Sequence, residues 1–272
     1  MKRKISLWFK SNAWKIGMVF SSILLLIMAW LPYGASFLTE RNAELINNIL
    51  IGIATNLLGI VVTVSFVQFF IDKKDKDQER KEEVETIKRY HRHMKALIRR
   101  YLMSYVSLTT RLLDRDKVDI DDAFTRDFKL SDMADMYKTT MFLSEGFTES
   151  SIEFYCDAEH KLRDYMLKMI ENIDFKYSNE LKDSIQNFVE KSTDLDMSGI
   201  LLDLSFRQKH GIDKAIIDSV EKTIADENED WVEKFGRGEL KGNLMLPYVI
   251  LFFAVHDQVR MIKEYSEIVE RL

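Results

Sequence analysis

Residues 45–71 read LINNILIGIATNLLGIVVTVSFVQFFI, 27 residues from Leu45 to Ile71 without a charge. A helix needs about 20 apolar residues to cross a bilayer core of roughly 30 Å, so this stretch is long enough to span. A second uncharged stretch, Ile16 to Thr39, precedes it, and the short link from Pro32 to Glu44 joins the two. The expected unit is a two-span transmembrane helical hairpin over residues 1–72, with spans at about 16–36 and 46–71. Trp14, Trp30 and Tyr33 stand near the expected ends of the first span, where aromatic rings favour the interface.

Charge orients the pair. Lys2, Arg3, Lys4, Lys10 and Lys15 precede the first span with no acid among them. The link holds one base, Arg41, and Lys73, Lys74 and Lys76 follow the second span. The excess of bases at both ends predicts that both termini stay in the cytoplasm, with the link outside. A competing reading makes the first span a signal peptide cleaved near Gly34-Ala35, although Tyr33 fits such a site badly.

The second span is more polar than an anchor requires. On a helical wheel Asn48, Gly52, Thr55, Asn56, Gly59 and Thr63 fall within about 100° of one another. Small residues let helices approach, and amides or hydroxyls bond across the contact. Two readings stand: packing within the hairpin against Gly17 and Ser21, or a self-association seam between copies.

Outward from the hairpin the composition changes. The chain has only 2 Pro and 10 Gly in 272 residues, which argues for helix throughout. One Cys excludes a disulfide framework and a Cys-rich zinc site. The net charge of −5 hides an uneven distribution. Residues 73–115 hold 13 bases and 7 acids, whereas 116–272 hold 20 bases and 34 acids.

Residues 73–115 read as a helical stalk. Asp72 to Glu83 contains no apolar residue and offers acid-to-base pairs at Asp72–Lys76, Asp77–Lys81 and Glu85–Arg89. Met94, Leu97, Ile98, Tyr101, Leu102, Tyr105, Leu108 and Leu112 then follow a helical period and predict a core face. Lys88, Arg92, Lys95 and Arg99 form a basic stripe on the other side. The stripe has three possible counterparts: lipid headgroups, the chain's own acidic remainder, or an acidic partner, nucleic acid included, with Tyr90 and His91 available to stack on bases.

Residues 116–272 predict an acidic cytoplasmic helical bundle, so the fold class is all-α. A short helix is expected over Leu130–Leu143, ending near Gly146. Ser150 and Glu153 make a capping box that opens a helix with Ile152, Tyr155, Leu162, Met166, Met169 and Ile173 on one face. Further helices are expected over Ser178–Lys191, Ile212–Phe235 and Leu246–Glu270, with Pro247 tolerated in a first turn. Asn243 to Val255 is strongly apolar but only 13 residues long, which suits a buried core helix better than a third span.

Nothing in the pattern points to catalysis, and no cofactor or metal is expected. His91 and His93 face apart on a helix, and His256-Asp257 lacks companion ligands. The glycine-rich stretch Phe235 to Gly242 follows no strand and lacks phosphate-loop spacing. Cys156 reads as a small buried hydrophobe.

The run from Gly52 through Thr55, Asn56 and Gly59 to Phe69-Phe70-Ile71-Asp72-Lys73-Lys74 resembles the amino-terminal hairpin of small bacterial two-span effectors of antiphage defence, the retron-associated type in particular. The resemblance covers roughly residues 14–100. It implies a toxin held inactive by a cytoplasmic complex, in that type a reverse transcriptase with its RNA–DNA product. On release the hairpins would associate, perturb the lipid bilayer of the inner membrane and abort the infection. The other function class is a non-enzymatic membrane-tethered scaffold or sensor, whose helical domain recruits an unidentified acidic soluble partner.

Overall fold

The computed structural model describes residues 2–30, 40–139, 149–212, 214–226 and 230–272. Pro32, Tyr33, Gly34-Ala35 and Gly146 lie outside the described residues. Two long helices come first, α1 (Lys2–Trp30) and α2 (Glu40–Leu108). Six more follow: α3 (Ser151–Asn172), α4 (Asn179–Asp194), α5 (Ser198–Lys209), α6 (Lys214–Ala225), α7 (Trp231–Gly236) and α8 (Leu246–Glu270). The described residues contain no strand, only an isolated bridge between Thr139 and Ser150. The chain is all-helical, and it divides into two compact units, Met1–Glu79 and Arg80–Leu272.

In the first unit α1 and α2 lie side by side. Ser22 Oγ donates to the Ala54 carbonyl at 2.7 Å, and Lys15 Nζ donates to Gln68 Oε1. Residue numbers fall along one helix as they rise along the other, so the two helices are antiparallel. Ser22, Ala29 and Ala54 are buried, whereas Phe20, Ile49, Val62, Phe66 and Phe69 are exposed. The stretch of α2 from Glu44 onward is long and apolar enough to cross a membrane, and almost none of its most apolar part is buried; Ala13–Ala29 is a shorter apolar helix.

The second unit is built on a single core. Met94, Ile98, Tyr101, Leu102, Tyr105 and Leu108 of α2 are buried in it, as their spacing predicts, while Leu97 and Leu112 are half-buried. The α3 capping box is present in both directions: the Ser150 hydroxyl accepts from the Glu153 N–H, and the Glu153 carboxylate accepts from the Ser150 N–H. Ile152, Tyr155, Leu162, Met166, Met169 and Ile173 all face the core. α8 begins at Leu246 with Pro247 in its first turn, and buries Tyr248, Val249, Leu251, Ala254 and Val255 against protein.

A polar hub holds four of these helices in register. Gln258 of α8 accepts through Oε1 from the Tyr101 hydroxyl of α2 at 2.9 Å and from the Tyr155 hydroxyl of α3. Its Nε2 donates to Ser192 Oγ of α4 at 2.9 Å. Burial makes each bond matter, because an unpaired buried hydroxyl or amide costs about 1–3 kcal/mol.

Other expectations are corrected. The helix expected over Leu130–Leu143 is a 3₁₀ turn, Leu130–Met133, followed by further turns, and residues 140–143 lie outside the described residues. Ile212–Phe235 is two helices, α6 and α7, rather than one. α5 has no counterpart in the expected pattern. The pairs expected at Asp72–Lys76, Asp77–Lys81 and Glu85–Arg89 do not close among the described residues. The polar run before residue 84 also ends on a buried acid: Glu83 accepts the backbone N–H groups of Lys176 and Tyr177, at 2.9 and 3.1 Å.

Candidate functional site

Two surfaces carry the residues singled out above, one in each unit. In the first, the polar and small residues of α2 lie on the side away from α1. Asn48, Thr55, Asn56, Gly59 and Thr63 are exposed and Gly52 is half-exposed. At 100° per residue, the centre of this stripe lies roughly 180° from Ala54, Val61 and Gln68, the side that meets α1. A Cβ placed on Gly52 or Gly59 would meet nothing within 4 Å. Packing of this stripe against Gly17 and Ser21 is therefore not how the helices meet: both residues are exposed, and Ser22 takes the interhelical bond instead.

The stripe is not uniform. Thr55 Oγ1 donates to the carbonyls of Ile51 and Gly52, at 2.9 and 3.0 Å. Its hydroxyl is thus satisfied within its own helix and contributes shape rather than a free donor. The amides of Asn48 and Asn56 present both donors and acceptors.

In the second unit Lys88, Arg92, Lys95 and Arg99 project from α2 and are all exposed. Among the described residues none of them forms an ion pair. The neighbouring Arg100 does pair, with Asp157 at 2.8 Å, which shows what internal neutralisation looks like one residue away. Base stacking by Tyr90 and His91 is corrected. Tyr90 lies against Tyr165, ring centroids 6.0 Å apart, and His91 Nδ1 is 3.2 Å from the Tyr265 hydroxyl. Burial and the nearby Lys95 charge lower the His91 pKa, against the opposing charge of Glu270.

The remaining candidates make packing and ion-pair contacts. His93 packs on Tyr165, and His256 stacks on Phe128 with ring centroids 4.1 Å apart. Asp257 pairs with Lys191 and Arg260. Burial pushes the Cys156 thiol up to about 12 and keeps it protonated. The glycine-rich stretch is the turn between α7 and α8, where Gly238 and Gly242 have φ of 74° and 77°. Among the described residues no group of three or more His, Cys, Asp or Glu is placed to hold a metal. A cavity of about 380 Å³ lies between Phe128, Trp231 and Phe252, rimmed by Lys129, Asp226 and Asp230.

No family model matches the chain, and comparison with curated proteins and with solved structures returns no match.

Proposed function

We propose that this chain is an inner-membrane effector of bacterial antiviral defence, and that α1 and α2 form a two-span transmembrane hairpin with both termini in the cytoplasm. The observation that carries the reading is the position of Asn48, Gly52, Asn56 and Gly59 on the side of α2 that α1 leaves uncovered. An amide turned toward lipid is costly, and a second copy is the partner that removes the cost. Such contacts contribute about 0.6–2 kcal/mol each in measured systems, enough to associate hairpins reversibly rather than permanently.

In this reading the basic stripe is where a cytoplasmic anionic partner complex docks and holds the effector inactive. Its four exposed charges have no internal counterpart among the described residues, which supports a partner outside the chain. The kind of partner, a reverse transcriptase with its RNA–DNA product, follows only from the resemblance of the hairpin. The activity proposed is non-enzymatic: loss of the partner frees the hairpins to associate and breach the membrane.

The test is leakage from vesicles or cells expressing the Asn56→Leu, Gly59→Leu double variant. Leakage should cease while the chain still inserts, and undiminished leakage would remove the seam from the mechanism. Replacing residues 1–72 with an unrelated two-span anchor separates an effector from a tethered scaffold. A scaffold keeps its function through that exchange, and an effector loses it.

A further inference from the structure

A second cluster of charged groups lies within the helical domain, away from both surfaces. Glu159 of α3 is 5% exposed, and its Oε1 has no hydrogen-bond partner. The Arg163 Nε stands 3.8 Å from that oxygen, too far to bond. That guanidinium is committed elsewhere, to the Ser192 carbonyl of α4 at 3.1 Å and to Asp196 Oδ2 at 3.0 Å. The His160 Nε2 lies between two carboxylates, 3.4 Å from Asp196 and 3.7 Å from Glu159, and is itself without a hydrogen bond. Asp196 belongs to the turn between α4 and α5. A small cavity of about 20 Å³ adjoins Glu159, Ser192, Asp196 and Gln258, which is room for about one water.

We infer that Glu159, with His160 and Asp196 beside it, is a proton-responsive latch that fastens the α4–α5 turn to α3: neutral Glu159 holds the turn, and ionised Glu159 releases it. An ionised, nearly buried carboxylate without a full complement of donors is unfavourable. A second carboxylate, Asp196 on the facing turn, adds repulsion to the ionised form. The inference is independent of the membrane reading.

The surroundings favour the neutral acid. Burial raises the Glu159 pKa, and the negative charges of Asp196 and Asp164 add to it; Arg163 and the Ser192 hydroxyl oppose them, leaving a value of about 7. The hydroxyls and the thiol facing it keep their state across the neutral range. Burial raises the Tyr101 hydroxyl of α2 and the Tyr155 hydroxyl of α3 well above their ordinary values. Cys156 is pushed up to about 12 by burial. Burial would raise Asp196, but hydrogen bonds from Ser198 of α5 and from Arg163 outweigh it and hold that carboxyl below its ordinary range. Gln258 of α8 and Ser192 of α4 do not titrate.

The direction follows from proton counting. The folded domain keeps the Glu159 proton up to about pH 7, whereas the unfolded chain releases it in the ordinary glutamate range. Stability associated with this group is therefore full below the ordinary glutamate range, falls as pH rises from there, and is gone once pH has passed about 7.

The experiment uses the full chain in detergent micelles at pH 6 and pH 8.5, wild type beside Glu159→Gln. Thermal unfolding is followed by circular dichroism, and amide exchange in the α4–α5 turn is corrected for the intrinsic pH effect. The wild type should lose about 2–4 °C of Tm at the higher pH, with exchange at the turn at least tenfold faster. Glu159→Gln should show neither change and should exceed the wild type at pH 8.5. A wild type with no pH response overturns the inference, and so does a Glu159→Gln variant that keeps the wild-type slope, since His160 or Asp196 would then be the source. A variant unfolded already at pH 6 also overturns it, because glutamine reproduces the neutral acid.

Discussion

Ser22 donates its hydroxyl proton to the backbone carbonyl of Ala54 at 2.7 Å, in a contact from which solvent is excluded. The acceptor is main chain, so the bond fixes how closely the α2 backbone approaches α1 at that level. It also fixes which side of α2 is covered, and with that which polar residues stay uncovered.

Ser22→Leu and Gly59→Leu should therefore have opposite effects. The leucine at 22 has no room at a fully buried site, and should lower the thermal stability of the α1–α2 pair in detergent by about 1–3 kcal/mol, as overpacking does. The leucine at 59 enters open space and should leave that stability within about 0.5 kcal/mol, as surface changes do. Chemical cross-linking between copies should show the reverse order, with Gly59→Leu the more impaired.

Reversing the basic stripe should not disturb folding. Lys88→Glu with Arg92→Glu removes no ion pair among the described residues, so Tm should move by no more than about 2 °C. Retention on an immobilised polyanion should fall, and its dependence on salt should flatten. A large loss of Tm would mean that the stripe supports the domain rather than serving a partner.

Gln258→Leu keeps the volume but leaves the Tyr101, Tyr155 and Ser192 hydroxyls without their shared partner. A loss of about 2–4 kcal/mol is expected from unpaired buried polar groups. Urea unfolding measures it. Removing the hydroxyls too, with Tyr101→Phe and Tyr155→Phe in the Gln258→Leu background, should recover part of the loss.

Arg115 is 1% exposed and is held by main-chain oxygens. Its Nε donates to the Thr110 carbonyl at 3.1 Å, and its terminal nitrogens donate to those of Thr139 and Asp135 at 2.9 and 3.0 Å. Arg115→Met should leave the Thr110 and Thr139 carbonyls without their donor, while the Asp135 carbonyl keeps the Lys138 N–H, and cost about 2–3 kcal/mol. Proteolysis within residues 112–139 should accelerate before the rest of the domain yields. Arg115→Lys should rescue little, since an ammonium cannot reproduce the planar fork.

Legibility in the sequence followed the physics of each element. The α3 cap and the α8 boundaries were readable because Ser150, Glu153 and Pro247 act locally. α5 escaped notice because Ile200, Leu201, Leu202, Leu204 and Phe206 surround it with apolar side chains and leave no face to detect. The segment from Leu112 to Thr139 could not be read either: its turns depend on one guanidinium reaching carbonyls up to 24 residues away. For the α2 stripe, periodicity gathered Asn48 to Thr63 on one face, but only the Ser22–Ala54 bond revealed that α1 occupies the other. The isolation of Lys88, Arg92, Lys95 and Arg99 was equally hidden, because net charge says nothing about which acids come within reach.

Glu83 works as a pawl. Its carboxylate engages the N–H groups of Lys176 and Tyr177, directional partners that tolerate little displacement. One helical turn of axial travel, about 5.4 Å, would carry it clear of both. Within the helical domain α2 therefore cannot ratchet past its neighbours while that engagement holds. A pull or push along the helix axis must break this engagement, as well as the Tyr101–Gln258 bond, before α2 can slip within the domain.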